Sequence, residues 1–512
     1  MQKSSPSLNN QKELLFRILI IAIIAVGIIL RASKYLPGWS MRGDELAVTL
    51  NLLNRSAFAL ATRPLDYEQA APFGFLLAVK ALMVLLGQSE YVLRLVAFVS
   101  GCLSLILMYK LLTKTSGRYG TVFALLAFAS SHYLIYYSSE LKQYSSDLLV
   151  CLILMMFFHR HISRETGKRD FWELGIVGSL AVCFSHPAIF VLIAIGMTLF
   201  VHYWKDKQKL IWITIVGAVW AAIFLAIYLI LLRYQTTSNY LITFWRDLNS
   251  YMPMPPWRNL AWFPGSIDHL FANITGLSKG IIMILIPLYL YGLWMFWKEK
   301  NWQWIIVAVL PMGINIIVSA FEKFPFHGRL IMYLVPLVLI VFAKATDGLT
   351  SLVNNRIAAN ALFIALTVII LKPALPTANS YLFTHSYLQD DLHPVLSYIR
   401  ENRQSNDMAY LYHYVDGQFQ YYSPKYNLED MAIIHGQNYS RNAKKYQGEL
   451  SSLPRDQRIW FVFSFVGDAR VNKSDKQNER EYILNYLNEN GMLLQEFYST
   501  NDASSAHLFI LK

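Results

Sequence analysis

Apolar residues in this chain come in long runs separated by short polar segments. A mostly apolar run of about 18 residues can cross the ~30 Å hydrocarbon core of a bilayer as a helix. Runs near that length are 14–32, 91–109, 119–137, 144–160, 171–185, 187–204, 210–232, 276–297, 303–321, 327–345 and 357–374. The pattern therefore predicts a mainly α, polytopic protein of about eleven transmembrane helices. The block 171–204 is split at His186-Pro187. One helix through it would be about 50 Å long, so two tilted spans with a turn at the proline, which lacks an amide donor, fit better. Segment 71–87 is also apolar, but it is short and carries Lys80 in its middle. It is expected to lie in or dip into the outer leaflet, because a further span there would reverse the side of every later helix.

From about 376 the pattern changes. Short β-rich stretches (408–414, 431–435, 458–466, 507–511) alternate with polar helical ones (394–403, 475–490). That alternation predicts a small α/β domain. The expected division is a membrane part over 1–375, with a first external loop over 33–90, and an α/β domain over 376–512. No internal repeat stands out, so an inverted-repeat transporter gains no support.

Composition and charge agree with the membrane reading. Of 512 residues 55% are apolar and 15% charged, against about 25% charged in ordinary soluble domains. Lys110, Lys114 and Arg118, then Arg160, Arg164, Lys168 and Arg169, then Lys205, Lys207 and Lys209, then Lys298 and Lys300, and Lys344 with Arg356 form clusters between spans. Placing them in the cytoplasm alternates with the eleven spans, leaving the N-terminus inside and the α/β domain outside the cell (inner) membrane. The net charge of +12 then belongs to cytoplasmic loops and does not indicate nucleic-acid binding. Lys3 and Lys12 precede the first run and Arg17 stands at its start, with no small-residue cleavage site after it, so that run reads as a retained helix. Cys102, Cys151 and Cys183 all fall inside apolar runs and form neither a zinc spacing nor a disulfide framework.

With that topology the unusual polar residues share the outer face. They are Met41-Arg42-Gly43-Asp44-Glu45, Asp66-Tyr67-Glu68-Gln69, the turn Tyr136 to Tyr144 with Glu140 and Lys142, His186, and Lys323 to Arg329 with His327. An acid at a membrane surface can deprotonate an acceptor hydroxyl, and nearby cations can hold a departing phosphate. Aromatics, at 14% of the chain, suit both the interface and sugar stacking. The Trp-rich stretch 245–262 reads as an external loop, either mobile near substrate or a belt anchor.

These segments resemble the GT-C membrane glycosyltransferases, in the branch of protein O-mannosyltransferases and bacterial lipid A aminoarabinose transferases (family 39 type). The likeness rests on Asp44-Glu45, on Ala70-Ala71-Pro72-Phe73, on Ser89-Glu90-Tyr91-Val92-Leu93-Arg94-Leu95, on Tyr136 through Tyr144, on His186 and on Arg329. It covers about 30–345 well and is only an outline beyond 376. The resemblance implies an integral-membrane glycosyltransferase that takes one sugar from a polyprenyl-phosphate donor. The acceptor would be a glycan, lipid or protein on the outer side. It also implies inversion and metal independence, with Asp44 as base and Glu45 beside it. Tyr67, Glu68, Arg94, Glu140, Lys142, His186, His327 and Arg329 would then face the substrate or its lipid phosphate. Ser139 and Lys142 depart from the family's Gln and Arg, and lysine is a point charge rather than a bidentate fork.

Simpler roles compete. Asp44 and Glu45 point about 100° apart on a helix and suit its first turn as capping residues. Glu140 and Lys142 can solvate a turn, Arg94 can neutralise Glu90, and Arg329 can snorkel. A transporter or lipid flippase would place ionisable groups near helix midpoints, whereas here they stand mostly at helix ends; a non-catalytic assembly protein on the same scaffold is the other alternative. No cofactor is expected. No two His or acids sit at ligand spacing within one segment, and a divalent metal is left open.

Overall fold

The computed structural model describes residues 8–275, 282–372, 374–384, 391–439, 442–464, 466 and 478–512. The first six residues of the expected span 276–297 and the first three of the expected helix 475–490 lie outside the described residues. The chain divides into two units, one of Met1–Pro37 with Val48–Leu382, the other of Gly38–Ala47 with Phe383–Lys512.

The first unit is helical. Each expected span holds helix, but among the described residues only six are long and apolar enough to cross a bilayer alone. These are Asn10–Tyr35, Glu90–Thr115, Tyr144–Ser163, Lys207–Gln235, Trp302–Ala320 and Gly328–Ser351, and the bent pair Arg356–Ile369 and Ala374–Thr384 makes a seventh if it is one span. The others are shorter for local reasons. Run 119–137 breaks at Ser131, whose hydroxyl accepts the Leu134 amide at 3.5 Å and starts a new short helix, His132–Tyr136. The block 171–204 breaks where expected, into Lys168–Phe184 and Ala188–His202. Segment 71–87 forms Phe73–Leu86, 14 residues or about 21 Å of helix, and its Lys80 donates to the Leu52 carbonyl.

Packing follows membrane rules. The first helix exposes Leu14, Ile18, Ile21 and Ile29, and with no water in the hydrocarbon such faces meet lipid. The Gly328–Ser351 segment is instead buried without a break from Ile331 to Ala343, a run apolar on every side, which makes it the central element. Close approach to it is made at Gly120, where a Cβ would stand 2.2 Å from the Ala343 carbonyl. Beside it Asp347 accepts the Gly117 and Gly120 amides at 2.6 and 2.8 Å, an acid on the N-terminus of Arg118–Ser130.

The second unit is a five-stranded sheet in the order β2-β1-β3-β5-β4, with β1 Met408–Leu411, β2 Ala432–His435, β3 Arg458–Phe463, β4 Gly491–Tyr498 and β5 Ser505–Leu511. Strands β1, β2 and β3 run parallel, and β5 and β4 return antiparallel. The four expected strands are present. β4 was not foreseen, because its residues stay largely exposed at the sheet edge and Gln495-Glu496 interrupt the apolar pattern. One face packs Tyr410, Phe461, Phe463 and Phe509 against Tyr446, Ile483 and Leu487. Inside, Asp407 accepts from Arg458 at 2.7 Å and from the Trp460 indole at 2.8 Å, so a carboxylate 3% exposed is paired.

Candidate active site

The second polar loop is fixed by its own backbone. Asn51 exchanges two hydrogen bonds with Asp66 (2.9 and 3.2 Å), and Arg55 pairs with the Asp66 carboxylate at 2.6 Å. Directly after this anchor, Tyr67 and Glu68 both take left-handed backbone angles, φ 60° and 52°. Two such non-glycine residues in succession are costly and persist where the surroundings dictate them, often at functional sites. The Tyr67 ring is exposed, and Glu68 Oε2 accepts from Ser238 at 2.6 Å.

The turn Tyr137–Ser139 and the residues after it carry the charged cluster. This turn seats closely on the Glu90–Thr115 helix because Gly101 offers no side chain; a Cβ there would lie 2.6 Å from that of Ser138. Glu140, next in the chain, forms an ion pair with Lys34, whose ammonium also donates to the Tyr136 carbonyl at 3.2 Å and lies 3.8 Å from the Tyr136 ring centre. Lys142 donates to the Gln69 side chain at 2.7 Å, and the Gln143 amide to the Ala70 carbonyl at 3.3 Å. The two polar segments, some 70 residues apart in sequence, are thus tied into one site.

Arg329 closes it from the late helices. Its guanidinium lies 5.7 Å from the Tyr144 ring centre and 5.9 Å from that of Trp245. Tyr137 stacks edge-on against Tyr144 at 5.0 Å; burial raises its phenol, against the pull of the Arg329 cation that bonds it. His327 packs on Trp245 and, at 4.1 Å between ring centres, on His269. Burial, with the His269 and Arg329 charges beside it, pushes the His327 imidazole down to about 4, so it is neutral at pH 7. Of the two readings of 245–262, mobile loop or anchor, the contacts at its end favour the anchor: Trp262 is 1% exposed and its indole donates to the Asn249 carbonyl at 3.0 Å.

Arg94 is 5% exposed and its charge acts on Tyr35 at the end of the first helix. His186 stands at the helix break as expected, with a buried Nε2 that has no hydrogen-bond partner among the described residues, next to Ser185, which faces Asp147.

Asp44 and Glu45 belong to the second unit. They open the Gly43–Asn54 helix, where Gly43 takes φ +42° and the Arg42 carbonyl accepts the Glu45 and Leu46 amides at 2.9 and 3.3 Å. The preceding backbone is clamped within that unit: the Met41 amide donates to Tyr422 at 2.6 Å, its carbonyl accepts from Gln418 at 2.9 Å, and Ser40 exchanges bonds with Asp391 and Leu392. Glu45 is 3% exposed and Asp44 half-buried.

Lys34 and His269 border the candidate site and were not singled out in the sequence, whereas Gln69 and Trp245 lie in segments that were. One signal existed for the first. Arg31 and Lys34 place two cations at the end of a span that the charge pattern assigns to the outer face, against the usual bias of positive charge to the cytoplasm.

A helical bundle with polar loops gathered at helix ends and a separate α/β unit is the GT-C architecture, and comparison supports it. The Archaeoglobus fulgidus oligosaccharyltransferase in its apo form is 12% identical with a TM-score of 0.50, over 95% of this chain and 74% of that one. ArnT from Cupriavidus metallidurans bound to undecaprenyl phosphate is 11% identical with a TM-score of 0.49, over 96% of this chain and 97% of that one. The dolichyl-phosphate-mannose-protein mannosyltransferase family matches residues 70–252, a stretch holding Arg94, Glu140, Lys142 and His186. No curated protein matches. The chain is a multi-pass membrane protein of GT-C fold, and its residues 70–252 match a glycosyltransferase family.

Proposed function

We propose that the protein transfers one sugar from a polyprenyl-phosphate donor to a hydroxyl-bearing glycan, lipid or protein on the extracytoplasmic side of the cell membrane. Asp44 takes the acceptor proton, with Glu45 beside it. The acceptor oxygen attacks the anomeric carbon, the bond from that carbon to the phosphate oxygen breaks, and the configuration inverts. The departing phosphate gains charge as the bond breaks, and Lys142 and Arg329 are its counter-charges. Tyr67, Glu68 and the Tyr137, Tyr144 and Trp245 rings are the sugar's surroundings in the first unit, where aromatic faces can stack on it. The reaction needs no metal in this scheme. The single observation that carries the reading is the joining of Gln69, Glu140, Lys142 and Arg329 with these aromatics around one turn, within and beside the family-matched stretch.

The test uses purified full-length protein with a polyprenyl-phosphate sugar and an envelope extract. Asp44→Asn should lower transfer by about 10²–10⁴-fold, the range of a lost general base. Undiminished transfer would refute Asp44 as base, and no transfer by the wild type with any polyprenyl-phosphate sugar would refute the donor class.

A further inference from the structure

The far end of the Tyr144–Ser163 helix, about 30 Å from the candidate site, borders a cavity of about 290 Å³. Lys114 from the end of Glu90–Thr115, His159 and Ser163, the turn residue Lys300, and Gln303 and Trp304 at the start of Trp302–Ala320 line it. Among the described residues no carboxylate lines it. Among the described residues Lys114 and Lys300 take part in no ion pair, while the nearest acid along the turn, Glu299, is already held by Lys344 at 2.5 Å and by the Asn301 amide at 3.3 Å. Two uncompensated cations around one hollow make it attractive to an anion.

The backbone supports the same conclusion. Lys300 has φ +59° at the end of the preceding helix, a position where glycine is cheaper. A lysine there carries a conformational cost that glycine would not. Asn301 gives the following helix no side-chain cap; its carbonyl accepts the Trp304 amide at 3.1 Å, which leaves the Trp302 and Gln303 amides for another acceptor. The depth is that of lipid head groups: Lys298 lies 5.2 Å from the Trp294 ring centre and Trp297 is exposed beside it, an aromatic and cationic belt. Trp304, packed edge-on against Phe158 at 5.4 Å, walls the hollow.

We propose that this cavity binds a phosphoryl group carried by an anionic membrane lipid, on the lysine-rich face and at the opposite end of the bundle from the candidate active site. The inference does not depend on the transfer reaction.

The experiment reconstitutes the full chain in nanodiscs of phosphatidylcholine with phosphatidylglycerol and counts retained lipids by native mass spectrometry. Wild-type protein should keep phosphatidylglycerol preferentially. Lys114→Ala with Lys300→Ala should weaken retention about tenfold or more, from roughly 1 kcal/mol per lysine near an anionic surface, whereas Lys114→Arg with Lys300→Arg should preserve it. Lys205→Ala with Lys207→Ala removes two charges from other residues of the same basic set, outside the cavity lining, and should change retention little. An equal loss in that control would refute a defined site, and unchanged retention in the alanine pair would refute these lysines. Inorganic phosphate in pure phosphatidylcholine discs supplies the other source of the same chemistry. Phosphate that stabilises wild-type protein as well as phosphatidylglycerol does would overturn the lipid assignment.

Discussion

Replacing Lys34 by methionine tests whether the first helix holds the Tyr137–Lys142 turn of the candidate site in place. Lys34 and Glu140 are 6% and 12% exposed in their ion pair, so neither charge is well hydrated. At an effective dielectric near 20, a pair about 4 Å apart is worth about 4 kcal/mol, and breaking a buried pair from one side costs about 3–5 kcal/mol. The lysine contributes further through the Tyr136 carbonyl and ring, at 3.2 and 3.8 Å. Glu140 keeps other contacts, which sets the expectation at the lower end, about 3 kcal/mol. SDS-driven unfolding in mixed micelles, run on Lys34→Met, Glu140→Gln and the double variant, gives the coupling directly. A term of about 2 kcal/mol is expected, since residues in one ion pair couple by roughly 0.5–3 kcal/mol. Hydrogen exchange should show faster opening of 137–143 in Lys34→Met. Additive single-variant effects, within about 0.3–0.5 kcal/mol, would refute the idea that Lys34 acts through Glu140.

Other outcomes follow from the same geometry. Lys142→Met should raise KM for the lipid-linked donor about tenfold or more, the worth of a charge-assisted hydrogen bond, with Lys142→Arg in between; steady-state kinetics with varied donor checks it. Gly101→Ala pushes a methyl to 2.6 Å from the Ser138 Cβ, so stability should fall by about 1–3 kcal/mol and activity with it, as melting and turnover assays would show. His507 on β5 is 1% exposed, and burial with Arg480 nearby pushes it down to about 4. Its folded value lies below the unfolded one, so the unfolded chain binds more protons between about pH 4 and 6.5. Stability of the α/β unit should be full above 6.5 and fall by about 3 kcal/mol towards pH 4; His507→Gln should flatten that slope in pH-dependent melting.

Hydrophobic period alone determined much of this protein. The helical content, the break at His186-Pro187, the four foreseen strands and the membrane character all follow from runs of apolar residues whose lengths match a bilayer or a sheet. The polar segments that bear the candidate chemistry were legible too, because an ionisable residue beside a membrane span is expensive and therefore conspicuous. Sequence could not give the partners. Lys34 reaches Glu140 across 106 residues and Lys142 reaches Gln69 across 73, pairings set by helix packing rather than by any local rule. Span lengths were overread at 119–137 because Ser131 restarts a helix within an apolar run, a local hydrogen bond that hydropathy does not register. The tertiary structure also decided that Ser40 and Met41, just ahead of Asp44 and Glu45, are gripped by Asp391, Leu392, Gln418 and Tyr422 of the α/β unit. Backbone amides and carbonyls that leave regular structure must find partners somewhere in the fold, and only the folded chain shows that these partners lie some 350 or more residues away.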